Sequence, residues 1–270
     1  MKSLRYIIMS IGLLLITACE WGLGSWGIGT GTHGIAVERY DRVQSLYLTT
    51  GDFSALQQMN INYPMQTRTL IEDVLHIGQV NDPEINSKFL RFYQDTTLQN
   101  LISESERQYA TMDDINEGFA VAFENLVKLL PNIELPTIYA QIGSLSQSII
   151  VGNGMIGICL DKYLGSNYPL YLKPAYGYTP EQRKMMDRQY IVPDGISFYL
   201  LSLYPLPADL KATQFERDMH MGRIQWVVNS VVGRNVFNNQ YVHRTDRYMK
   251  RNKKVAVDLL LCDTDYQKFW

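Results

Sequence analysis

The sequence predicts a mostly helical α+β domain with a small central antiparallel sheet. Apolar residues recur at helical spacing in the first half of the chain and again after residue 179, whereas the middle alternates short apolar runs with glycine-containing turns. The folded domain is expected to occupy residues 35–270, a length that suits one domain. Beyond residue 18, no stretch of the sequence reaches the about twenty consecutive apolar residues that a membrane-spanning helix requires.

The N-terminus predicts an exported lipoprotein. Two basic residues precede an apolar run from Tyr6 to Ile16, which is too short to span a bilayer and is typical of a secretory signal peptide. The tetrad Ile16-Thr17-Ala18-Cys19 resembles the lipobox of bacterial lipoproteins, in which the signal peptide, here residues 1–18, is removed and the cysteine takes a diacylglyceryl group. This resemblance makes the lipid bilayer a partner through acylated Cys19. The alternative is an ordinary signal peptide followed by a cysteine without a special role.

Residues 19–34 predict a glycine-rich tether between the lipid and the domain, because such a chain loses much conformational entropy when it is ordered. Loss of residues 1–18 leaves 23 basic and 27 acidic side chains, a net charge of −4. This acidic balance, together with the predicted export, argues against a nucleic-acid partner.

Helices are predicted in the first half of the chain over residues 83–93, 97–109 and 111–130. Thr111 and Asp114 form an S/T-x-x-D start signal for the third of these helices. Short strands are predicted next, at residues 136–142, 148–151 and 155–160. The last two strands flank Gly152-Asn153-Gly154 and predict a hairpin, so that three strands in sequence suggest an antiparallel meander.

The second half of the chain returns to helices. Thr179-Pro180-Glu181-Gln182 and Thr213-Gln214-Phe215-Glu216 each have the pattern of a capping box at the start of a helix. The helix after Thr213 carries apolar residues on two opposite sides, which predicts that it is buried between two layers. A final helix is expected over residues 246–261.

One ordered set of motifs resembles a known family. The most specific block runs from Gly157 to Gly165 and continues into Tyr168-Pro169-Leu170-Tyr171. With Tyr190-Ile191-Val192-Pro193-Asp194, Met219-His220-Met221-Gly222-Arg223 and the lipobox, it is similar to the GldB family of gliding-motility lipoproteins of the Bacteroidetes. The resemblance covers most of residues 35–270 and implies a lipoprotein of the outer membrane.

The sequence departs from the family pattern in two places. Asn252-Lys253 stands where the family has an Asn-Glu pair, so the acidic residue is missing. The chain stops at Trp270, before the Pro-Gly-Arg segment with which the family continues. These departures predict a divergent or shortened member.

The GldB resemblance also implies a distant similarity to zinc-dependent proteases, or zincins, whose metal-binding helix carries H-E-x-x-H. The matching helix offers only His220, and Glu216 before it is already assigned to a capping box. The four histidines of the chain share no ligand spacing, so neither a metal nor another cofactor is expected. His220 is interpreted as a hydrogen-bonded core residue, and a degenerate metalloprotease-like enzyme is the alternative.

Asp161, the tyrosines that follow it and His220 are the candidate ligand contacts. Asp161 follows a strand that should be buried, so its carboxylate is expected either to contact a ligand at the end of the sheet or to cap the following turn. Tyr163, Tyr168 and Tyr171 combine an apolar ring with a polar hydroxyl, which suits contact with a carbohydrate or a peptide. Packing of this loop on its own domain is the equal alternative.

Cys159 and Cys262 lie in apolar runs and are interpreted as buried free thiols. A disulfide between them is the alternative, because an exported protein meets an oxidising environment. Neither cysteine has a histidine in its motif, so the sequence gives no support for a nucleophilic role.

A basic run precedes the C-terminus. It comprises Arg244, Arg247, Lys250, Arg251, Lys253 and Lys254. On a helix such residues predict a solvent-exposed face, and contact with anionic lipid headgroups is the alternative for a membrane-tethered protein.

The sequence shows no Ser-His-Asp order, phosphate-binding loop or paired carboxylates above background. Together with the lipobox, this absence predicts a non-catalytic lipoprotein of the cell envelope that binds or scaffolds other proteins. The resemblance to GldB implies that it is associated with the outer membrane and with gliding or surface machinery. A degenerate metalloprotease-like enzyme and a carbohydrate- or peptide-binding lipoprotein are the alternatives.

Overall fold

The computed structural model describes residues 35–207 and 212–269, which contain eleven α-helices and a three-stranded sheet. The helices before the sheet are α1 (Tyr40–Thr50), α2 (Phe53–Asn62), α3 (Pro64–Arg68), α4 (Ile85–Phe92), α5 (Thr96–Gln108) and α6 (Asp113–Leu129). The strands are β1 (Thr137–Gln141), β2 (Ile149–Gly152) and β3 (Met155–Cys159). The later helices are α7 (Pro180–Met185), α8 (Ile191–Leu203), α9 (Gln214–Val232), α10 (Gln240–Arg251) and α11 (Val257–Cys262). Cys19, the predicted signal peptide and the predicted tether lie outside the described residues.

The fold is α+β and mostly helical, as predicted, but its sheet is mixed. β2 and β3 form the predicted antiparallel hairpin, in which Ile149 lies opposite Ile158. β1 pairs in parallel with β3, with Thr137 beside Met155, which gives the strand order β1-β3-β2. The predicted antiparallel meander is therefore wrong. β3 is the most buried strand, and it takes the central position where both of its edges have a hydrogen-bonding partner.

Alternate residues of the sheet pack into two different hydrophobic clusters, because successive side chains of a strand point to opposite faces. Ile138 and Ile156 belong to the main cluster, which includes Phe119 of α6 and further residues of α8 and α9. Tyr139 belongs to a second cluster with Phe89 of α4 and residues of α1 and α2. The sheet thus lies between the N-terminal helices and the later ones.

Helix α9 is buried between two layers, as its two apolar sides predicted. The predicted capping box is present at its start, since Thr213 and Glu216 each accept a hydrogen bond from the other's backbone N–H. Val227 packs in the main cluster, whereas Met219 packs with Tyr266 and other C-terminal residues in a third cluster. The capping box predicted for α7 at Thr179 is also present.

Two predicted helix limits are wrong. Helix α6 begins at Asp113, and Met112 occupies its N-cap position in place of Thr111, without a side-chain hydrogen bond. The helix predicted over residues 246–261 is in fact two helices, because Asn252 leaves the helical conformation and donates its side-chain amide to the carbonyl of Tyr248 (2.9 Å).

The two cysteines of the described residues are free. This confirms the prediction of free thiols over the alternative of a disulfide between them. Cys159 is buried as predicted, whereas Cys262 at the end of α11 is exposed, so the predicted burial of Cys262 is wrong. No helix within residues 35–207 and 212–269 combines the length and the apolar character that crossing a membrane requires.

Candidate functional site

Asp161 closes the loop that follows β1. The chain leaves β3 through the short 3-10 turn Leu160–Lys162, which places the Asp161 side chain in the interior. Its carboxylate accepts the backbone N–H of Gly143 (2.7 Å) and that of Leu145. Leu145 has a φ of 63°, a conformation that residues other than glycine disfavour, and the carboxylate holds it there. The bonds therefore go to a loop before β2 and not to the turn after β3 that the sequence suggested.

The protonation of Asp161 reflects two opposing effects. Burial raises the pKa of the Asp161 carboxyl, because it disfavours the charged form. The hydrogen bonds from the N–H groups of Gly143 and Leu145 act in the opposite direction, because they stabilise the carboxylate. The carboxyl is thus engaged by the protein backbone on both of its oxygens.

Tyr163 connects the motif to α8. Its hydroxyl donates a hydrogen bond to Oδ2 of Asp194 (2.8 Å) in the first turn of α8, and its carbonyl accepts the hydroxyl of Tyr109. Burial raises the pKa of Asp194 to about 7, against the smaller opposing effect of the Tyr163 hydrogen bond. Asp194 was not among the predicted site residues, and its position in the family motif is the only signal for it in the sequence.

Tyr171 joins the same buried network. Its hydroxyl donates to the carbonyl of Asp161 and accepts the N–H of Leu164 (3.1 Å). Its ring meets those of Tyr168 and Tyr178 edge to face, with centroids 5.1 and 5.9 Å away. The structure thus brings Asp161, Tyr163 and Tyr171 together. Their polar groups hold in place residues 163–178, which carry five tyrosines and are called the tyrosine loop below.

Tyr168 borders an open groove of about 490 Å³ between the tyrosine loop and α5. The lining residues are Thr97, Asn100, Ser103, Glu104, Arg107, Tyr168, Pro169, Leu170 and Lys173. Gln108 of α5 donates its side-chain amide to the carbonyl of Leu164 (3.0 Å), which holds the two walls together. The groove offers one aromatic ring beside several polar and charged side chains, a combination found in sites for peptides and sugars.

The motif from β3 through the tyrosine loop to α8 is therefore one continuous piece of structure. The family model described as gliding motility protein GldB matches residues 31–235, which is more than half of the chain. The chain belongs to the GldB family. No curated protein and no solved structure matches it, and residues 236–270 lie beyond the part that the GldB model covers.

In this GldB protein, His220 lies apart from the Asp161 network. Its Nδ1 is 3.1 Å from Nη2 of Arg223 and 3.3 Å from the hydroxyl of Tyr266. Because a guanidinium only donates, Nδ1 is the acceptor, and Nε2 carries the proton that it donates to the carbonyl of Tyr204 (3.0 Å). Burial and the adjacent Arg223 lower the pKa of His220, so the ring is neutral. His220 is thus a hydrogen-bonded residue of the buried interior.

Arg223 beside it is fully buried, and among the residues that the structure describes it forms no ion pair with a carboxylate. Its Nη1 donates to the carbonyls of Leu260 (2.8 Å) and Asp263 (2.6 Å), and its guanidinium lies 4.4 Å from the ring centroid of Tyr266. These contacts attach the C-terminal segment to α9. Burial lowers the pKa of Arg223, but a guanidinium remains charged in a protein.

The histidines are spread over the part of the chain that the structure describes. His76 follows the N-terminal helices and bonds the carbonyl of Glu72 (2.9 Å), whereas His243 is exposed on α10. Within that part of the chain, no three His, Cys, Asp or Glu side chains are grouped as ligands of one metal ion would be. The ligand arrangement of zinc proteases therefore has no counterpart around His220 there.

Proposed function

We propose that this GldB protein is a lipid-anchored, non-catalytic protein of the cell envelope whose domain binds a partner in the groove beside Tyr168. The observation that carries the proposal is that residues of the family motif differ in what they contact. Internal hydrogen bonds engage the polar groups of Asp161, Tyr163 and Tyr171, whereas Tyr168 borders an open groove. Membership of the GldB family supports a role in gliding or surface machinery.

Anchoring at the outer membrane through Cys19 is the second part of the proposal. The signal-peptide pattern and the lipobox-like tetrad support it, as does membership of a lipoprotein family. Two or three acyl chains on one cysteine would hold the protein on the bilayer permanently, since a single chain gives only marginal binding.

The chemistry of the groove suggests the class of partner. Tyr168 is half-buried, so one part of its ring is free to stack on a sugar or an apolar peptide side chain. Asn100, Ser103 and Lys173 are polar side chains on the groove that can bond a peptide backbone or sugar hydroxyls. A peptide segment of an envelope protein is the first candidate partner, and a carbohydrate is the second, favoured by the same ring.

Binding of a panel of envelope-protein peptides and cell-wall oligosaccharides to the purified full chain tests this proposal. We expect a hit from one class, and at least about tenfold weaker binding of that hit by Tyr168→Ala. Tyr176→Ala is the matched control, because Tyr176 is an exposed tyrosine of the same loop that does not line the groove. Equal binding by the Tyr168 and Tyr176 variants would place the partner elsewhere and overturn the proposed site.

A further inference from the structure

A cluster of basic side chains covers the end of α10 and the turn after it. This basic surface consists of Arg247, Lys250, Arg251, Lys253 and Lys254, all of them exposed. The three on α10 are spaced by three and four residues and share one helical face. The helix ends at Arg251, so the two lysines follow in the next turn.

The basic surface is concave. Four of its five residues, all except Arg247, line a single shallow cleft of about 430 Å³ with Asn252 and Val255. Cations that converge on one cleft can contact a phosphate from several sides, which a row of cations on a convex helix cannot do. The geometry is therefore suited to binding a phosphate-bearing headgroup, and not only to exposure to solvent.

Few acidic side chains neutralise the positive charge of the basic surface. Lys250 pairs with Asp246 (2.6 Å), and both side chains of that pair are exposed, so its energetic value is small. Within the described residues, no ion pair involves the other four cations. Asp258 of α11 is the next acidic residue along the chain, and it is exposed too.

The rest of the protein has the opposite charge. From Cys19 onward the chain carries 23 basic and 27 acidic side chains. Setting aside the five cations of the basic surface and Asp246 leaves 18 basic and 26 acidic side chains, a net charge of −8. An anionic surface would attract this end of α10 and repel most of the remaining chain, so the charge distribution selects one orientation.

We propose that the basic surface docks on the anionic phospholipid headgroups of the membrane that holds the protein. The proposal rests on lipid anchoring at Cys19. The sixteen residues 19–34 span at most about 55 Å even when fully extended, so the anchor keeps the domain close to the headgroups. Each Lys or Arg near an anionic bilayer adds to the attraction, and salt weakens it. The docked domain presents a defined side to its partners.

Lysine acetylation of the reconstituted protein tests the docking. The acylated full-length protein is inserted into vesicles of phosphatidylcholine alone, or of phosphatidylcholine with about one-third phosphatidylglycerol, and labelling is read by mass spectrometry. At low salt we expect labelling of Lys253 and Lys254 to fall at least about threefold in the anionic vesicles, and to recover at high salt. Lys184 of α7, an exposed lysine outside the basic surface, should be labelled equally in both vesicles.

Charge reversal supplies the matched comparison. Arg247→Glu/Arg251→Glu should abolish the protection of Lys253 and Lys254 by the anionic vesicles. Arg68→Glu/Arg91→Glu changes the net charge equally at exposed positions of the N-terminal helices and should retain it. Retained protection in the first variant would overturn the proposal.

The remaining outcomes separate this proposal from the lipid anchor. If the protein isolated from cells does not float with phosphatidylcholine vesicles, it carries no lipid anchor, and the proposed function is contradicted. A protein that floats with both vesicles but shows equal lysine labelling at low salt keeps the anchor and overturns the docking. Protection by an added anionic polysaccharide, without protection by phosphatidylglycerol, also overturns it and assigns the basic surface to a glycan.

Discussion

Asp161 accepts the backbone N–H of Gly143 at 2.7 Å and thereby ties the end of β3 to the loop that leaves its parallel neighbour β1. The carbonyl of the same residue accepts the hydroxyl of Tyr171. One residue thus connects the sheet, the loop after β1 and the tyrosine loop. The GldB motif around Asp161 therefore holds the tyrosine loop in the position that places Tyr168 at the surface groove.

Asp161→Asn should destabilise the protein by about 2 kcal/mol, because an amide has only one acceptor oxygen and its NH₂ group would face a buried backbone N–H. Urea denaturation of the purified protein measures this change. Asp95→Asn is the control, since Asp95 is the exposed N-cap of α5 and asparagine caps a helix about as well as aspartate. A change of similar size in both variants would contradict the structural role of Asp161.

Asp194 should make stability fall as the pH rises. Its ordinary pKa of 3.8 is raised to about 7 by burial, so the folded protein holds a proton that the unfolded chain releases. The stabilisation is complete below about pH 4 and is lost as the pH rises through 7. Asp194→Asn cannot ionise but keeps an acceptor for the Tyr163 hydroxyl. Relative to this variant, the wild type should lose about 2–3 kcal/mol between pH 5 and pH 8.

Urea titrations of wild type and Asp194→Asn at several pH values check this prediction. Other groups titrate in both proteins, so only the difference between the two curves reports on Asp194. A difference that stays constant from pH 5 to pH 8 would show that the carboxyl ionises normally in the folded protein.

Gly222→Ala should weaken the contact between α9 and α10. A Cβ at this position would lie 2.9 Å from the carbonyl carbon of Tyr241 and closer still to its Cβ, so one helix must shift. We expect a loss of at least about 2 kcal/mol in the free energy of unfolding. Gly152→Ala, where a Cβ would meet nothing within 4 Å, should change stability by less than about 0.5 kcal/mol. Equal stability of the two variants would refute the close crossing.

Arg223→Lys should loosen the C-terminal segment without unfolding the core. A lysine ammonium cannot bond the carbonyls of Leu260 and Asp263 while also stacking on Tyr266 as the planar guanidinium does. Amide hydrogen exchange in residues 257–269 should become at least about tenfold faster, and exchange in β3 should not change. Arg217→Lys, on the exposed side of α9, is the control. Unchanged exchange in residues 257–269 would contradict this role of Arg223.

The sequence allowed prediction of features whose partners are close along the chain. The capping boxes at Thr179 and Thr213 are present, because both groups of each box lie within three residues. The parallel pairing of β1 with β3 could not be predicted in the same way, since it depends on how the loop after β1 folds back. The break at Asn252 was missed because helical spacing continues through it in the sequence.

The candidate site could be predicted only in part for the same reason. Asp161 and Tyr171 are recognisable from the motif, but the amides that bind the Asp161 carboxylate lie 16 and 18 residues earlier in the chain. Tyr266, which contacts His220, lies 46 residues away in the sequence, outside any local pattern. Burial and long-range hydrogen bonds determine which residues face the groove. Neither can be predicted from the spacing of residues in the sequence alone.

The most direct test of the account is mass spectrometry of the N-terminal peptide of the protein isolated from fractionated cell membranes. Lipid anchoring predicts a mature chain that begins at Cys19 and carries a diacylglyceryl group, recovered with the outer membrane, and it predicts that Cys19→Ser prevents this modification. A chain recovered in the soluble fraction with an unmodified Cys19 thiol would contradict the proposal that this GldB protein works from a lipid anchor.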